Sequence, residues 1–572
     1  MIVNKISDLE SIKNKTLEMT KLDSVKKTAR ITVHMGTCGI ASGAKDVLNS
    51  LKNKLKDEHI KNIEIKTTGC IGICSKEPLI TVERFGEEPI IYEYVNVEKL
   101  NEIYDSHIKK GNVIAKYALA RGKEVELEER VDNNGHIESQ KIVDSSIKGI
   151  EEIPFFRKQK RIVMRNRGAI DPYKITDYIS RDGYMAAYKA VTELDSQKII
   201  EEVLDSGLRG RGGAGFPTGL KWKFASKADS KEKYIICNAD EGDPGAFMDR
   251  SVLESDPHSI IEGMIIAAKA VGATKGFIYC RAEYPLAVEI LNKALSQARA
   301  YGILGKNIFD SNFDLDIEVY EGAGAFVCGE ETALIHSIEG KRGNPRLKIP
   351  YPAQKGVFSK PTVINNVETL ANISPIILNG SDWFRQIGSE KSKGTKVFSI
   401  TGDINNVGCV EIPIGTSIKT VLDDIADGTQ QGSTIKAVQL GGPSGGCLPA
   451  NYFDTQLDYE PLQELGVIMG SGGMIAINDK KSAVDIARFF MNFCADESCG
   501  KCLPGREGTR QMLNILNKIC DGKGNKEDVA KLEDLAQVVK KTALCGLGKT
   551  APNPILSTLK YFKNEYEEAV KE

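Results

Sequence analysis

Residues 207–222 read GLRGRGGAGFPTGLKW, six glycines in sixteen positions interleaved with Arg209, Arg211 and Lys221. Backbone without a Cβ can approach an anion closely, and flanking cations complete the charge balance. Such a stretch is either a phosphate cradle or a solvated glycine linker. Phe216, Trp222 and Phe224 favour the cradle, because a linker has no use for three large aromatics. The stretch is neither a P-loop nor a clean G-x-G-x-x-G opening a helix after a strand. Alone it specifies only a phosphate-bearing cofactor.

The 572 residues are enough for about three to five domains. A formal charge of -2 gives no global field for nucleic acid or an anionic membrane. The first fifteen residues lack a signal-peptide pattern, and no apolar run is long enough to span a bilayer, so a cytoplasmic location is expected. In that reducing compartment the thirteen cysteines are not a disulfide framework, which turns attention to metal. Cys280, Cys409, Cys447 and Cys520 stand alone and read as small buried hydrophobes.

The expected fold class is α/β and multidomain. In residues 1–110, strands at 29–36, 63–70 and 79–85 and an amphipathic helix at 42–57 make a small α/β domain. Residues 111–165 read as a connector with a turn at 131–136. Residues 166–390 alternate strand-like and helix-like runs, as a sheet core requires. Residues 391–480 carry short strands and many glycines, and 481–572 read as a helical bundle with cysteines between its helices.

Three further segments share the polar, glycine-rich character of 207–222, namely CNADEGDPGAFMDR (237–250), EGAGAFVCGEETALIHSIEGKRGNPRLK (321–348) and KPTVINNVETL (360–370). Their amides and carboxylates suit ribityl and ribose hydroxyls. Together the four segments resemble the NADH-oxidising flavoprotein subunit of respiratory complex I. They more closely resemble the flavin subunits of soluble NAD-linked, including electron-bifurcating, hydrogenases. The resemblance covers about residues 160–572, and a similar thioredoxin-like domain precedes it in the hydrogenase type. It implies a thioredoxin-like domain, an α/β FMN/NAD-binding core, a small β-grasp-like domain and a helical iron–sulfur domain.

Carried onto this sequence, the resemblance implies one FMN against Gly210, Gly212, Lys221, Asn238, Asn365 and Asn366. Asp240, Glu241, Gly329, Glu330 and Glu331 would line its isoalloxazine and ribityl side. NADH would stack on the flavin, with Phe216, Phe224 and Tyr351 around its adenine and Lys348 reaching the nucleotide. Asp243 stands where complex I usually has Glu, and Phe326 where it usually has Tyr; Asp243 is expected to favour NAD over NADP. No side chain is expected to act as acid or base, because stacking alone aligns the hydride transfer.

ESCGKCLPGREGT (497–509) with ALCGLGKTAPNP (543–554) resembles the family's [4Fe–4S] site, and Cys499, Cys502 and Cys545 fit it. The third motif position is Gly505. Three readings stay open: Cys494 supplies the missing thiolate; water or an oxygen of Asp496, Ser498 or Glu507 does so; or the cluster is lost or replaced by another metal. At the N-terminus TGCIGIC (68–74) resembles half of a thioredoxin-like [2Fe–2S] pattern. In its first half His34 falls at the first ligand position and Cys38 one residue before the second. Cys38, Cys70, Cys74 and His34 are the candidates, and a docking domain without a cluster is the alternative.

The function so implied is an NAD(H)-oxidising or -reducing FMN subunit of a multi-subunit electron-bifurcating hydrogenase or transhydrogenase. Its partners would be other iron–sulfur subunits and, through them, ferredoxin, with no nucleic acid and no membrane span. A formate dehydrogenase diaphorase, a complex I-like module and a non-catalytic scaffold are the alternatives.

Overall fold

The computed structural model describes residues 2–22, 26–122 and 142–570. The turn expected at 131–136 lies outside these residues. Among the described residues there are three five-stranded sheets and a helical bundle.

The first sheet contains β1 (Ala29–His34), β2 (Ile63–Thr68), β3 (Ile80–Arg84), β4 (Ile90–Tyr92) and β5 (Ala118–Arg121), in the order β2-β1-β3-β4-β5. β1 runs parallel to β2 and antiparallel to β3. Helix Ala44–Asp57 buries Val47, Leu48, Leu51 and Leu55 in the same core as Ile31, Val33 and Val82. That spacing is the apolar stripe of a surface helix. Two features depart from the expected boundaries. β5 carries the sheet past residue 110, and helix Ile6–Thr20 leaves this domain altogether. Val3, Leu9 and Ile12 join the core of the next domain instead, and the Val3 amide donates to the Tyr301 carbonyl at 2.8 Å.

The second sheet contains β6 (Tyr234–Ala239), β7 (Lys275–Arg281), β8 (Gly305–Ile308), β9 (Phe313–Gly322) and β10 (Thr362–Asn366), in the order β10-β6-β7-β9-β8. β10, β6, β7 and β9 are parallel, and β8 closes the edge antiparallel. Helix Pro257–Val271 is apolar nearly all round and correspondingly buried. Chain order reverses between β10 and β6, which places a crevice at their carboxyl ends.

The third sheet contains β11 (Thr395–Gly402), β12 (Gly408–Pro413), β13 (Ile435–Leu440), β14 (Gly446–Pro449) and β15 (Gly473–Asn478), in the order β12-β11-β15-β13-β14. Buried ionic contacts weld it to the second. Lys396 of β11 pairs with Glu368, and the fully buried Glu411 carboxylate accepts the Ile162, Val163 and Met164 amides at 2.9–3.0 Å. The first domain docks through Thr37, whose amide donates to Glu254 at 2.9 Å, and through Gly72, whose carbonyl accepts the Cys409 amide at 2.8 Å.

Helices Ala483–Asp496, Thr509–Cys520, Lys526–Thr542 and Asn553–Tyr561 share an apolar core that includes Met491, Met512, Leu516, Leu532 and Ile555. Among the described residues no helix is long and apolar enough to cross a membrane.

Candidate functional site

The crevice at the ends of β6 and β10 holds the amides of the expected site. Asn366 of β10 lies in register with Asn238 of β6, and Asn365 with Cys237. Asn238 donates its side-chain N–H to the Gly329 carbonyl at 2.9 Å and accepts the Asp240 amide at 3.1 Å. The Asn365 carbonyl accepts the Trp222 indole N–H at 2.9 Å. Asn366 donates to Asp249, and its oxygen caps helix Val367–Ala371.

The glycine-rich stretch forms a closed loop over this crevice. The Gly210 amide donates to the Phe216 carbonyl at 2.8 Å and the Thr218 amide to the Leu208 carbonyl at 2.9 Å. A Cβ on Gly212 would lie 3.1 Å from the Asn366 Cβ, and Gly213 at φ 116° turns the tip against Gly470. The loop's close approach to Asn366 and Gly470 therefore needs glycine.

Its arginines do not serve as expected. Arg209 pairs with Glu460 at 2.8 Å and stacks 4.2 Å from the Tyr459 ring centre. Arg211 is fully buried and donates to the Thr395, Arg209 and Lys393 carbonyls at 2.6–3.0 Å. Both shape the loop and tie it to the third domain instead of facing an anion. The cation left at the cradle from this stretch is Lys221. Its Nζ donates to the Ile364 carbonyl at 3.0 Å, and burial lowers its pKa.

The acidic loop after β6 divides its work. Glu241 accepts the Asp249 and Arg250 amides at 3.0 and 3.1 Å, so it caps helix Met248–Ser255. Glu330 likewise caps helix Glu331–Ile338. Asp240 is different. Its side chain is 1% exposed, neither oxygen has a hydrogen-bond partner, and Arg281 stands 4.0 Å away. Burial pushes its pKa up to about 7 despite that arginine. Gly329 faces it, 3.6 Å from one oxygen to an added Cβ. An unmet buried acceptor beside Gly329 fits a ligand rich in N–H and O–H donors, as FMN is. Asp243 accepts the Ser471 hydroxyl at 2.9 Å, and burial pushes its pKa up to about 6.

At the rim, Phe216, Phe224 and Tyr351 are 43%, 52% and 54% exposed. Lys348 pairs with Glu331 at 3.6 Å. Asp249, Arg281 and Glu497 join the site without a sequence signal of their own. Arg281 bridges the Glu241 and Gly324 carbonyls at 3.2 and 3.1 Å, and Glu497 accepts the Phe326 amide at 3.0 Å. Each works through a group distant in sequence, so no local motif marks it.

Glu497 opens the loop that carries the C-terminal cysteines. Cys494, Cys499, Cys502 and Cys545 line one cavity together with Ser498, Gly505 and Thr509. A Cβ at Gly505 would lie 3.1 Å from the Cys502 sulfur, so this position does point into the cysteine group. Asp496 and Glu507 do not line the cavity, and the Ser498 hydroxyl is given to the Gly505 carbonyl. Cys494 is buried and donates weakly to the Pro443 carbonyl at 3.7 Å. Four thiols around one cavity fit a cubane, which spreads its ligands over separate irons. Among the described residues no three His, Cys, Asp or Glu are grouped so as to hold a single metal ion.

In the first domain Cys74 is in contact with both Cys38 and Cys70. His34 is buried, with Nε2 3.0 Å from the Thr81 hydroxyl.

Residues 203–375 match the Nuo51 FMN-binding domain, and residues 485–569 match the NADH-ubiquinone oxidoreductase-F iron–sulfur binding region. Over 411 residues the chain is 55% identical to the NADP-reducing hydrogenase subunit HndC of Solidesulfovibrio fructosivorans, covering 72% of this chain and 84% of that one. Over 395 residues it is 44% identical to the F component of the NADH-quinone oxidoreductase of Aquifex aeolicus, covering 69% of this chain and 91% of that one. Its fold matches a crystal structure of NAD+-reducing [NiFe]-hydrogenase in the H2-reduced state with a TM-score of 0.64 at 26% identity, over 98% of this chain and 90% of that chain. With an FMN-binding domain, a [4Fe–4S] region and relatives of this closeness, the chain belongs to the NADH dehydrogenase-type flavoprotein oxidoreductases, the family of the complex I flavoprotein and its hydrogenase counterparts.

Proposed function

We propose that this chain is the NAD(H)-handling FMN subunit of a soluble, multi-subunit electron-bifurcating hydrogenase or transhydrogenase, linked through partner iron–sulfur subunits to ferredoxin. The observation that carries the reading is Asp240, a buried carboxyl group without a hydrogen-bond partner, facing Gly329 with Arg281 4.0 Å away. The hydrogenase-type assembly is supported by the HndC relative and by the match to the [NiFe]-hydrogenase structure. A complex I-like module is the second reading, favoured by the NADH-quinone oxidoreductase relatives.

FMN, when bound, accepts hydride from NADH and releases the pair as single electrons. The protein's part is placement. Lys221 and the 210–213 backbone hold the phosphate end, Asn238 and Asn366 the ribityl chain, and Asp240 the remaining donors. Phe216, Phe224 and Tyr351 offer faces for an adenine, and Lys348 supplies charge beside it. Asp243 favours NAD over NADP by accepting from a ribose hydroxyl and repelling a 2′-phosphate. Cys499, Cys502 and Cys545 hold the C-terminal cluster, and Cys494 replaces the thiolate missing at Gly505 because it lines the same cavity.

The test is purification of the chain with its partners under anaerobic conditions, followed by NADH and then NADPH. Bleaching of a bound flavin by NADH at lower concentration than by NADPH is expected. A protein that stays colourless after FMN is supplied is a scaffold instead. Identification of the co-purifying subunits assigns the second substrate.

A further inference from the structure

The N-terminal cysteine loop is flanked by a buried carboxyl group and a buried guanidinium, and neither forms an ion pair among the described residues. Glu77 is 5% exposed, and its carboxyl group accepts the Leu79 amide at 2.9 Å, but no Lys or Arg forms an ion pair with it among the described residues. Arg167 is 1% exposed and packs over the Gly72 turn. It donates to the Cys409 carbonyl at 3.0 Å, while its Nε and Nη2 have no partner and no carboxylate among the described residues neutralises it. A buried guanidinium calls for a balancing negative charge, and the buried Glu77 Oε1 has no donor to meet it.

Three thiols lie between them. Cys74 touches Cys38 and Cys70, and the Glu77 carboxyl group touches Cys70. A Cβ on Gly39 would come within 2.9 Å of the Glu77 Oε2. Gly39 is the position to which the second cysteine of the motif would fall, five residues after His34. The carboxyl group therefore fills the space a thiolate at 39 would enter. His34, the candidate that spacing suggests, is directed at Thr81.

We propose that Cys38, Cys70, Cys74 and Glu77 are the four ligands of a [2Fe–2S] cluster, with Arg167 as its buried counter-charge. Three thiols and one carboxylic acid give up their protons to solvent as iron and sulfide bind. Glutamate carries the same charge as the thiolate it replaces, so the cluster keeps the net charge of an all-cysteine site. A histidine in its place would make the net charge more positive and raise the potential. The proposal rests on the flavoprotein reading only for the source of electrons.

The test uses the full chain, loaded anaerobically with iron and sulfide, with iron content, EPR after dithionite and flavin bleaching by NADH measured in parallel. Glu77→Gln is expected to lower iron by about two atoms per chain and to remove the two-iron signal, with flavin bleaching retained. Glu77→Cys restores both irons with an altered spectrum, which separates ligation from folding. Arg167→Met keeps the iron and lowers the midpoint potential, and His34→Ala keeps both iron and signal. A two-iron signal unchanged in Glu77→Gln, its loss in His34→Ala, or its absence from the wild type with the C-terminal signal intact overturns the proposal. A wild type with the two-iron signal and no NADH-reducible flavin overturns the flavoprotein reading and leaves this one standing.

Discussion

The backbone N–H of Phe326 donates to the Glu497 carboxylate at 3.0 Å, joining the loop over the nucleotide crevice to the loop that carries Cys499 and Cys502. The Phe326 ring adds an edge-on contact with Phe493 at 5.2 Å. The two loops are therefore tied to each other at this point. Glu497→Ala removes a charge-assisted hydrogen bond of about 1.5–3 kcal/mol. The expected outcome is a loss of at least about tenfold in kcat/KM for NADH with an artificial acceptor. An unchanged value would show that the loop is held elsewhere.

The exposed rim aromatics predict a split between binding and turnover. An aromatic stacking contact is worth about 0.5–1.5 kcal/mol, so Phe216→Ala and Phe224→Ala should each raise KM for NADH about two- to tenfold. The kcat values should change little, because the contact is present before and during hydride transfer. Steady-state kinetics of the single variants and the double variant check this.

Asp240 predicts a pH dependence of stability in FMN-free protein. Burial lifts its native pKa to about 7 from the ordinary aspartate value of 3.8. Between those values the native state binds the extra proton, so this group's contribution is fully present below about pH 4 and is lost as pH rises through 7. Asp240→Asn should flatten the fall in Tm across that window. It should not abolish it, because Asp243, pushed up to about 6, titrates there too. Calorimetry from about pH 4 to 8 measures the slope.

Cys494 and Cys447 are both buried, but only Cys494 lines the cysteine cavity. Cys494→Ala should lower cluster iron and change the C-terminal EPR signal, while Cys447→Ala should leave both intact. Equal spectra for the two variants would return the fourth ligand to an oxygen donor.

The Lys396–Glu368 pair is fully buried, at the seam between second and third sheets. Lys396→Met leaves the buried Glu368 carboxylate with only Arg211, 4.0 Å away, and should cost about 3 kcal/mol. A Lys396→Met, Glu368→Leu double variant should recover much of that loss. Denaturant unfolding of the three proteins gives the comparison.

Strands such as β6 and β7 are legible in the sequence because continuous apolar runs end in polar residues, and the site amide Asn238 sits at the end of β6; β10, with Asn365 and Asn366, has too short an apolar run to be read as a strand. The N-terminal helix is not, since Leu9 and Ile12 pack against residues beyond 160. Four-residue β5 carries too little pattern to separate it from a connector. The roles of Arg209 and Arg211 are hidden for another reason. A cation beside glycines can face a phosphate or a carbonyl, and only the tertiary structure decides. Glu77 has no sequence signal because the motif is counted in cysteines and histidines, whereas its position beside Gly39 is set by the β1–β3 pairing.

Anaerobic titration of the purified, iron-loaded chain with NADH, followed by flavin absorbance and EPR together, tests the flavoprotein reading most directly. Bleaching of bound FMN in proportion to added NADH, with iron–sulfur signals growing as the flavin is reduced, is the predicted result. A flavin that stays oxidised, or one that bleaches while every iron centre remains unreduced, would contradict it.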